Sequence, residues 1–155
     1  KMKGIPFHML RADVAGNISK RFSLSGIEIP RYGGACPRWN IYKAFTMPGK
    51  INAAVSKMSN GKKYVCIART VEKGVGRYGE SKSMLSIGLG CEAKYAKDFV
   101  YTENIDVTDK KTEIPIGVSC RTCDRLDCSQ RAFPPLHKKF DVDVNSRGVS
   151  VYVSD

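Results

Sequence analysis

Histidine is scarce in this 155-residue chain, with only His8 and His137, and tryptophan occurs once, at Trp39. Two isolated histidines exclude the His-Glu-x-x-His pattern of zinc hydrolases, and each is expected at the surface or at a cap. A Gly-x-Ser-x-Gly elbow and a phosphate-loop Gly-Lys-Ser/Thr are both missing. Gly88-Leu89-Gly90 is too short for a dinucleotide fingerprint, and Gly61-Lys62-Lys63 reads as a hairpin tip. Asp141 and Asp143 would simply share one face of a strand. These absences point away from an enzyme and leave no residue to name as catalytic. No apolar run approaches the ~20 residues that span a bilayer, so no membrane partner is expected. The opening residues 1–6 have no apolar signal-peptide core, and Lys1 in place of an initiator Met suggests a piece of something longer.

Acidic residues are sparse at the start. Residues 1–60 hold ten Lys/Arg against two Asp/Glu, a net +8, whereas residues 61–155 hold sixteen against thirteen, a net +3. A basic surface of this kind suits nucleic acid, an acidic membrane, or a polyanionic small molecule such as a nucleotide or coenzyme A; the plain alternative is a solvated face. Hydrophobic residues at 42% and charged residues at 26% describe a globular protein. The length suits one domain, residues 1–155, able to bury about two-thirds of its unfolded surface without metal or disulfides.

Extended patterns dominate. Residues 6–12 and 18–24 read as strands around a turn at Ala15-Gly16-Asn17, and residues 50–58 and 62–71 as a hairpin around Ser59-Asn60-Gly61. Residues 84–89 and 114–118 supply further strands, and the alternating valines of residues 140–153 another. Two short helices are expected, one from Pro37 to about Phe45 and one over residues 90–99. Short links favour antiparallel pairing. The class is therefore α+β, an antiparallel sheet with few helices, of the PAS- or GAF-like sensor type.

Six cysteines occur, at 36, 66, 91, 120, 123 and 128. With no secretory signal the expected compartment is the reducing cytoplasm, where Cys-x-x-Cys more often binds metal than forms a structural disulfide. Cys66, inside a strand-like run, reads as a small core residue. Cys120, Cys123 and Cys128 crowd into nine residues of a loop at 119–136, and such soft thiolates select zinc or iron–sulfur iron. Arg121, Arg125 and Arg131 accompany them, and positive charge favours thiolate, the metal-binding form. Three ligands leave a tetrahedral zinc site one short. Cys36, Cys91, His137 and Asp127 are the candidates for the fourth, with Cys36 ranked first as a thiolate on an irregular loop. The spacing matches neither common ferredoxin run. A separate basic set comprises Arg31, Arg38, Trp39 and Arg69. Guanidinium groups can grip phosphates and an indole can stack on a purine, or else Trp39 is core and the arginines a solvated rim.

Two readings compete on these grounds, a ligand sensor with a metal loop and a zinc-stabilised nucleic-acid-binding module. Several stretches favour the first: Gly34-Ala35-Cys36-Pro37-Arg38-Trp39-Asn40, Ile67-Ala68-Arg69-Thr70-Val71, Ile87-Gly88-Leu89-Gly90-Cys91, and the run from Pro115 through Cys128 to Pro134-Pro135-Leu136. In these the chain resembles the C-terminal effector domain of the bacterial short-chain fatty acyl-CoA transcriptional regulators. That resemblance implies a sensor of short-chain acyl-CoA joined to a separate N-terminal helix-turn-helix domain that binds DNA. It also implies an iron–sulfur cluster at Cys120, Cys123 and Cys128. A homodimer is the assembly such a regulator would form.

Overall fold

The computed structural model describes residues 4–74, 77–137 and 145. Six strands form one sheet: β1 (Phe7–Asp13), β2 (Ile18–Ser23), β3 (Asn52–Lys57), β4 (Lys63–Lys73), β5 (Ser83–Glu92) and β6 (Glu113–Pro115). Their order is β2-β1-β5-β4-β3-β6. The first five pair antiparallel, while β6 runs parallel to β3, so the sheet is mixed rather than wholly antiparallel. A parallel neighbour requires a long crossover, and residues 93–112 provide it. The α+β class stands; the valine-rich strand expected over residues 140–153 lies outside the described residues.

Alternation decides which side of the sheet is core. On β1, His8, Leu10 and Ala12 are buried, and their neighbours Met9 and Arg11 are half-buried on the other side. Residues 27–46 lie over the inner face and close the core around Ile27, Trp39 and Ile41. Polar side chains pin this layer down. Ser86 Oγ donates to the Ile41 carbonyl at 2.6 Å, Asn40 Nδ2 to that of Cys66 at 3.0 Å, and Tyr42 Oη to that of Gly16 at 2.8 Å.

Both expected helices shrink. The first is one α turn, α1 (Asn40–Lys43), followed by a 3-10 turn over Ala44–Thr46. It starts after Trp39 because that residue is extended (φ −66°, ψ 139°) and Cys36–Trp39 forms a separate turn. In the second, residues 90–92 stay in β5, where Gly90 and Cys91 complete the ladder to β1 and β4, and only Ala93–Asp98 coils, as 3-10 helix. Sheet pairing thus overrides local helical propensity.

Candidate functional site

Two features adjoin on the inner side of the sheet. The first is a small enclosed cavity of about 10 Å³, walled by Leu10, Ile27, Trp39, Ile41 and Ile116, with His8, Asn40, Ser56 and Cys66 as its polar groups. That is room for about one water-sized group. His8, expected at the surface, is instead buried at 2% exposure. Its Nδ1 meets Ser25 Oγ at 2.8 Å and its Nε2 meets Cys66 Sγ at 3.4 Å. Burial lowers the imidazole pKa to about 4 and pushes the Cys66 thiol up to about 12, so both are neutral at physiological pH. The Cys66 thiol is a core group, as its strand position indicated.

Glycine makes this arrangement sterically feasible. A Cβ at Gly90 would lie 2.5 Å from His8 Nε2, and one at Gly88 would meet Ile41 Cδ1 at 3.4 Å. Gly88-Leu89-Gly90 therefore lets the His8 ring and α1 approach the sheet, a structural use of the motif. Glycines alternating within a strand signal such close approach, and this is the available sequence clue that the His8 side chain is buried.

The second feature is the cysteine loop. Strand β6 delivers it, held by Glu113, whose carboxylate takes Lys57 Nζ at 3.2 Å and also pairs with Lys63. Cys120 is buried at the start of a 3-10 turn (Cys120–Thr122), while Cys123 and Cys128 are half-buried. Arg131 organises the loop. Its buried guanidinium donates to the carbonyls of Cys120 at 2.9 Å, Cys123 at 2.8 Å, Phe133 at 3.1 Å and Arg125. Sequence reasoning had given Arg131 only a role as nearby positive charge.

Cys36 joins this loop. Its backbone N–H donates to the Val118 carbonyl at 3.0 Å. Burial raises its thiol pKa, backbone hydrogen bonds from Gly117 and Arg38 oppose that, and the neighbouring Cys120 and Cys123 sulfurs raise it further. Of the other fourth-ligand candidates, Cys91 is buried on the opposite face of the sheet, and His137 Nε2 is 2.9 Å from Asp124 Oδ1. Asp127 is exposed. The donor chemistry fits a soft metal, and Arg131 Nε is a buried donor without a hydrogen-bond partner among the described residues. The side chains do not close around one, however. Among the described residues no three His, Cys, Asp or Glu are gathered tightly enough to hold a metal ion.

Trp39 links the two features. Its ring walls the cavity, and its indole N–H donates to the Gly117 carbonyl at 2.9 Å. Gly117 in turn packs on Cys123, whose Sγ would sit 3.2 Å from a Cβ there. Trp39 is thus a core residue, 4% exposed. The expected cationic set does not assemble around it. Arg38 is half-buried beside Trp39 and Arg31 is exposed on the same loop. Arg69 pairs with Ile87 on the outer face, across the sheet from the indole.

The family model described as short-chain fatty acyl coenzyme A regulator, C-terminal, matches residues 1–152. This chain belongs to that family. It is 45% identical over 154 residues to the HTH-type transcriptional regulator RamB of Mycobacterium tuberculosis, covering 98% of this chain and 32% of RamB. It is 42% identical to a propionyl-CoA carboxylase regulator of Cereibacter sphaeroides, covering 97% and 32%. Identity to the HTH-type transcriptional regulator PrpR of M. tuberculosis is 40%, covering 99% and 32%. A solved Mycobacterium tuberculosis transcriptional regulator superposes with a TM-score of 0.86 at 38% identity, over 96% of this chain and 45% of that one. The chain spans about a third of the curated relatives it matches, and those relatives are regulators, not enzymes. No helix among the described residues is long and apolar enough to cross a membrane.

Proposed function

We propose that this chain is the sensing domain of a transcription regulator, that it binds a short-chain acyl-coenzyme A thioester, and that DNA is bound through a separate N-terminal domain. The observation that carries this reading is the enclosed apolar cavity at the core of a chain belonging to the short-chain fatty acyl coenzyme A regulator family. Its walls suit an acyl chain, and a thioester carbonyl entering it would have to exchange for one of the present hydrogen bonds of His8 or Asn40. A volume near 10 Å³ admits two or three carbons only if the Trp39 and Ile41 layer shifts outward, which disfavours long chains. Arg38 and Arg31 supply charge for the coenzyme phosphates at the loop where that layer begins. Arg69, on the other face, is left out of this site.

The cysteine loop is the second input in this reading. Cys120, Cys123 and Cys128, with Cys36 as fourth ligand, would hold zinc or an iron–sulfur cluster. A cluster would add redox responsiveness, and Arg131 would hold the loop carbonyls in place around it. Because Trp39 contacts both cavity and loop, ligand entry and the state of the loop are mechanically coupled.

Calorimetric titration tests the acyl-CoA reading. Propionyl-CoA should bind more tightly than free coenzyme A, palmitoyl-CoA should gain nothing from its longer chain, and Arg38→Ala should weaken binding more than Lys62→Ala. No saturable heat at low salt would refute it. Anaerobic absorbance with iron, sulfide and zinc analysis tests the cysteine assignment separately; protein without any of the three would remove the metal.

A further inference from the structure

The outer face of the sheet carries a surface that the sensor reading does not use. Strand registers set Phe22, Met9, Leu89 and Ile67 side by side in one row across β2, β1, β5 and β4. The next row along the strands places Lys20 against Arg11, Arg11 against Ile87, and Ile87 against Arg69. Beyond it, Leu85 pairs with Val71 on one side and with Asp13 on the other. Three cations therefore lie between an apolar row and a second row that is apolar on β5 and β4 and acidic at its β1 end. Phe7 extends the apolar side, its ring 5.3 Å from that of Phe22.

Part of this face is already covered. The turns at Ala93–Asp98 pack on β4 and β5, and Val55, Val65 and Cys91 are buried there. Cover stops abruptly, leaving Phe7 44%, Phe22 43%, Leu89 38% and Val71 38% exposed. The open patch measures about 14 Å across the four strands and about 14 Å along them. That is the footprint of roughly three turns of α-helix. Isolated surface apolars need no explanation, but a contiguous patch of this kind marks an interaction surface.

Charge selects the occupant. A second copy docking face to face would bring Lys20, Arg11 and Arg69 against cations of the same row, which is unfavourable. A helix with an apolar stripe flanked by Asp or Glu would match all three rows. The curated relatives extend well beyond the matched region, which covers 32% of their length, so such regulators have chain available to supply one. We propose that this face docks an amphipathic helix with an acidic flank, contributed by the part of the regulator outside residues 1–155. Docking there would join the sensing domain to the rest of the regulator as a continuation of the cover begun by residues 93–98.

Hydroxyl-radical footprinting of the full-length regulator and of the 155-residue chain, both without coenzyme A, tests this independently of the ligand reading. Oxidation of Met9 and Phe22 is expected to fall at least fivefold in the full-length protein, with Met47 as an unchanged control. The Arg11→Glu, Arg69→Glu double variant, checked for folding by its thermal melt, should restore oxidation at Met9 and Phe22. Equal oxidation in the two proteins would overturn the proposal, as would protection that survives charge reversal. Protection that grows with protein concentration would assign the face to a second copy, and protection that needs added duplex DNA would assign it to nucleic acid; either result displaces the helix.

Discussion

Replacing Arg131 with Met tests whether one guanidinium holds the cysteine loop together. The methionine keeps much of the apolar stem and removes donors to the carbonyls of Cys120, Cys123, Arg125 and Phe133. A hydrogen bond from a charged donor contributes about 1.5–3 kcal/mol. Four at the lower bound sum to about 6 kcal/mol, and discounting by half for carbonyls that water reaches once the loop opens leaves about 3 kcal/mol. At about 1.4 kcal/mol per factor of ten, local opening should become roughly a hundredfold more frequent. None of the four hydrogen bonds involves a strand of the sheet, so the main thermal transition should move less than the loop opening does. Alkylation of Cys120, buried at 8% exposure, reads the opening directly, with Cys66 as a core reference. Arg131→Lys should fall between, since an ammonium cannot fork to four acceptors. Cys120 reacting within twofold of wild type in Arg131→Met would refute the assignment of Arg131 as the clasp.

Three further outcomes follow from the cavity and its walls. Gly90→Ala should cost about 3 kcal/mol in denaturant unfolding, because its Cβ would meet His8 Nε2 at 2.5 Å and the Val65 carbonyl at 2.7 Å, while Gly88→Ala, facing Ile41 at 3.4 Å, should cost clearly less. His8 is held at a pKa of about 4 against 6.5 when unfolded, so the unfolded chain binds the proton first. Its contribution of about 3 kcal/mol is complete above pH 6.5 and lost as pH falls through 4. His8→Gln should flatten that part of the stability–pH curve, and an unchanged slope would refute it. Trp39→Phe removes the hydrogen bond to the Gly117 carbonyl and should cost about 1–3 kcal/mol. It should also speed alkylation of Cys123; a rate equal to wild type would break the proposed link between cavity and loop.

Much of the fold was legible in sequence because strand alternation and turn glycines are local signals. The 50–58 and 62–71 hairpin appears as β3 and β4 around Gly61, whose φ of +84° suits glycine. The helix over residues 90–99 was misread because Gly90 and Cys91 have ladder partners more than twenty residues away in the chain. His8 was misread for the same reason. Nothing near it in sequence announces Ser25, Cys66 and the missing side chain of Gly90 as its surroundings.

The sequence by itself determined the α+β class, the family, and the clustering of Cys120, Cys123 and Cys128, since each is written in residues close along the chain. Only the tertiary structure decided which other residues meet them. It brought Cys36 to the cysteine loop through the Val118 carbonyl, set Trp39 between cavity and Gly117, and sent Arg69 to the far side of the sheet. The physical reason is the two-residue period of a strand. Neighbours in sequence such as Ala68 and Arg69 face opposite sides, and only packing decides which side receives the inner layer of the core.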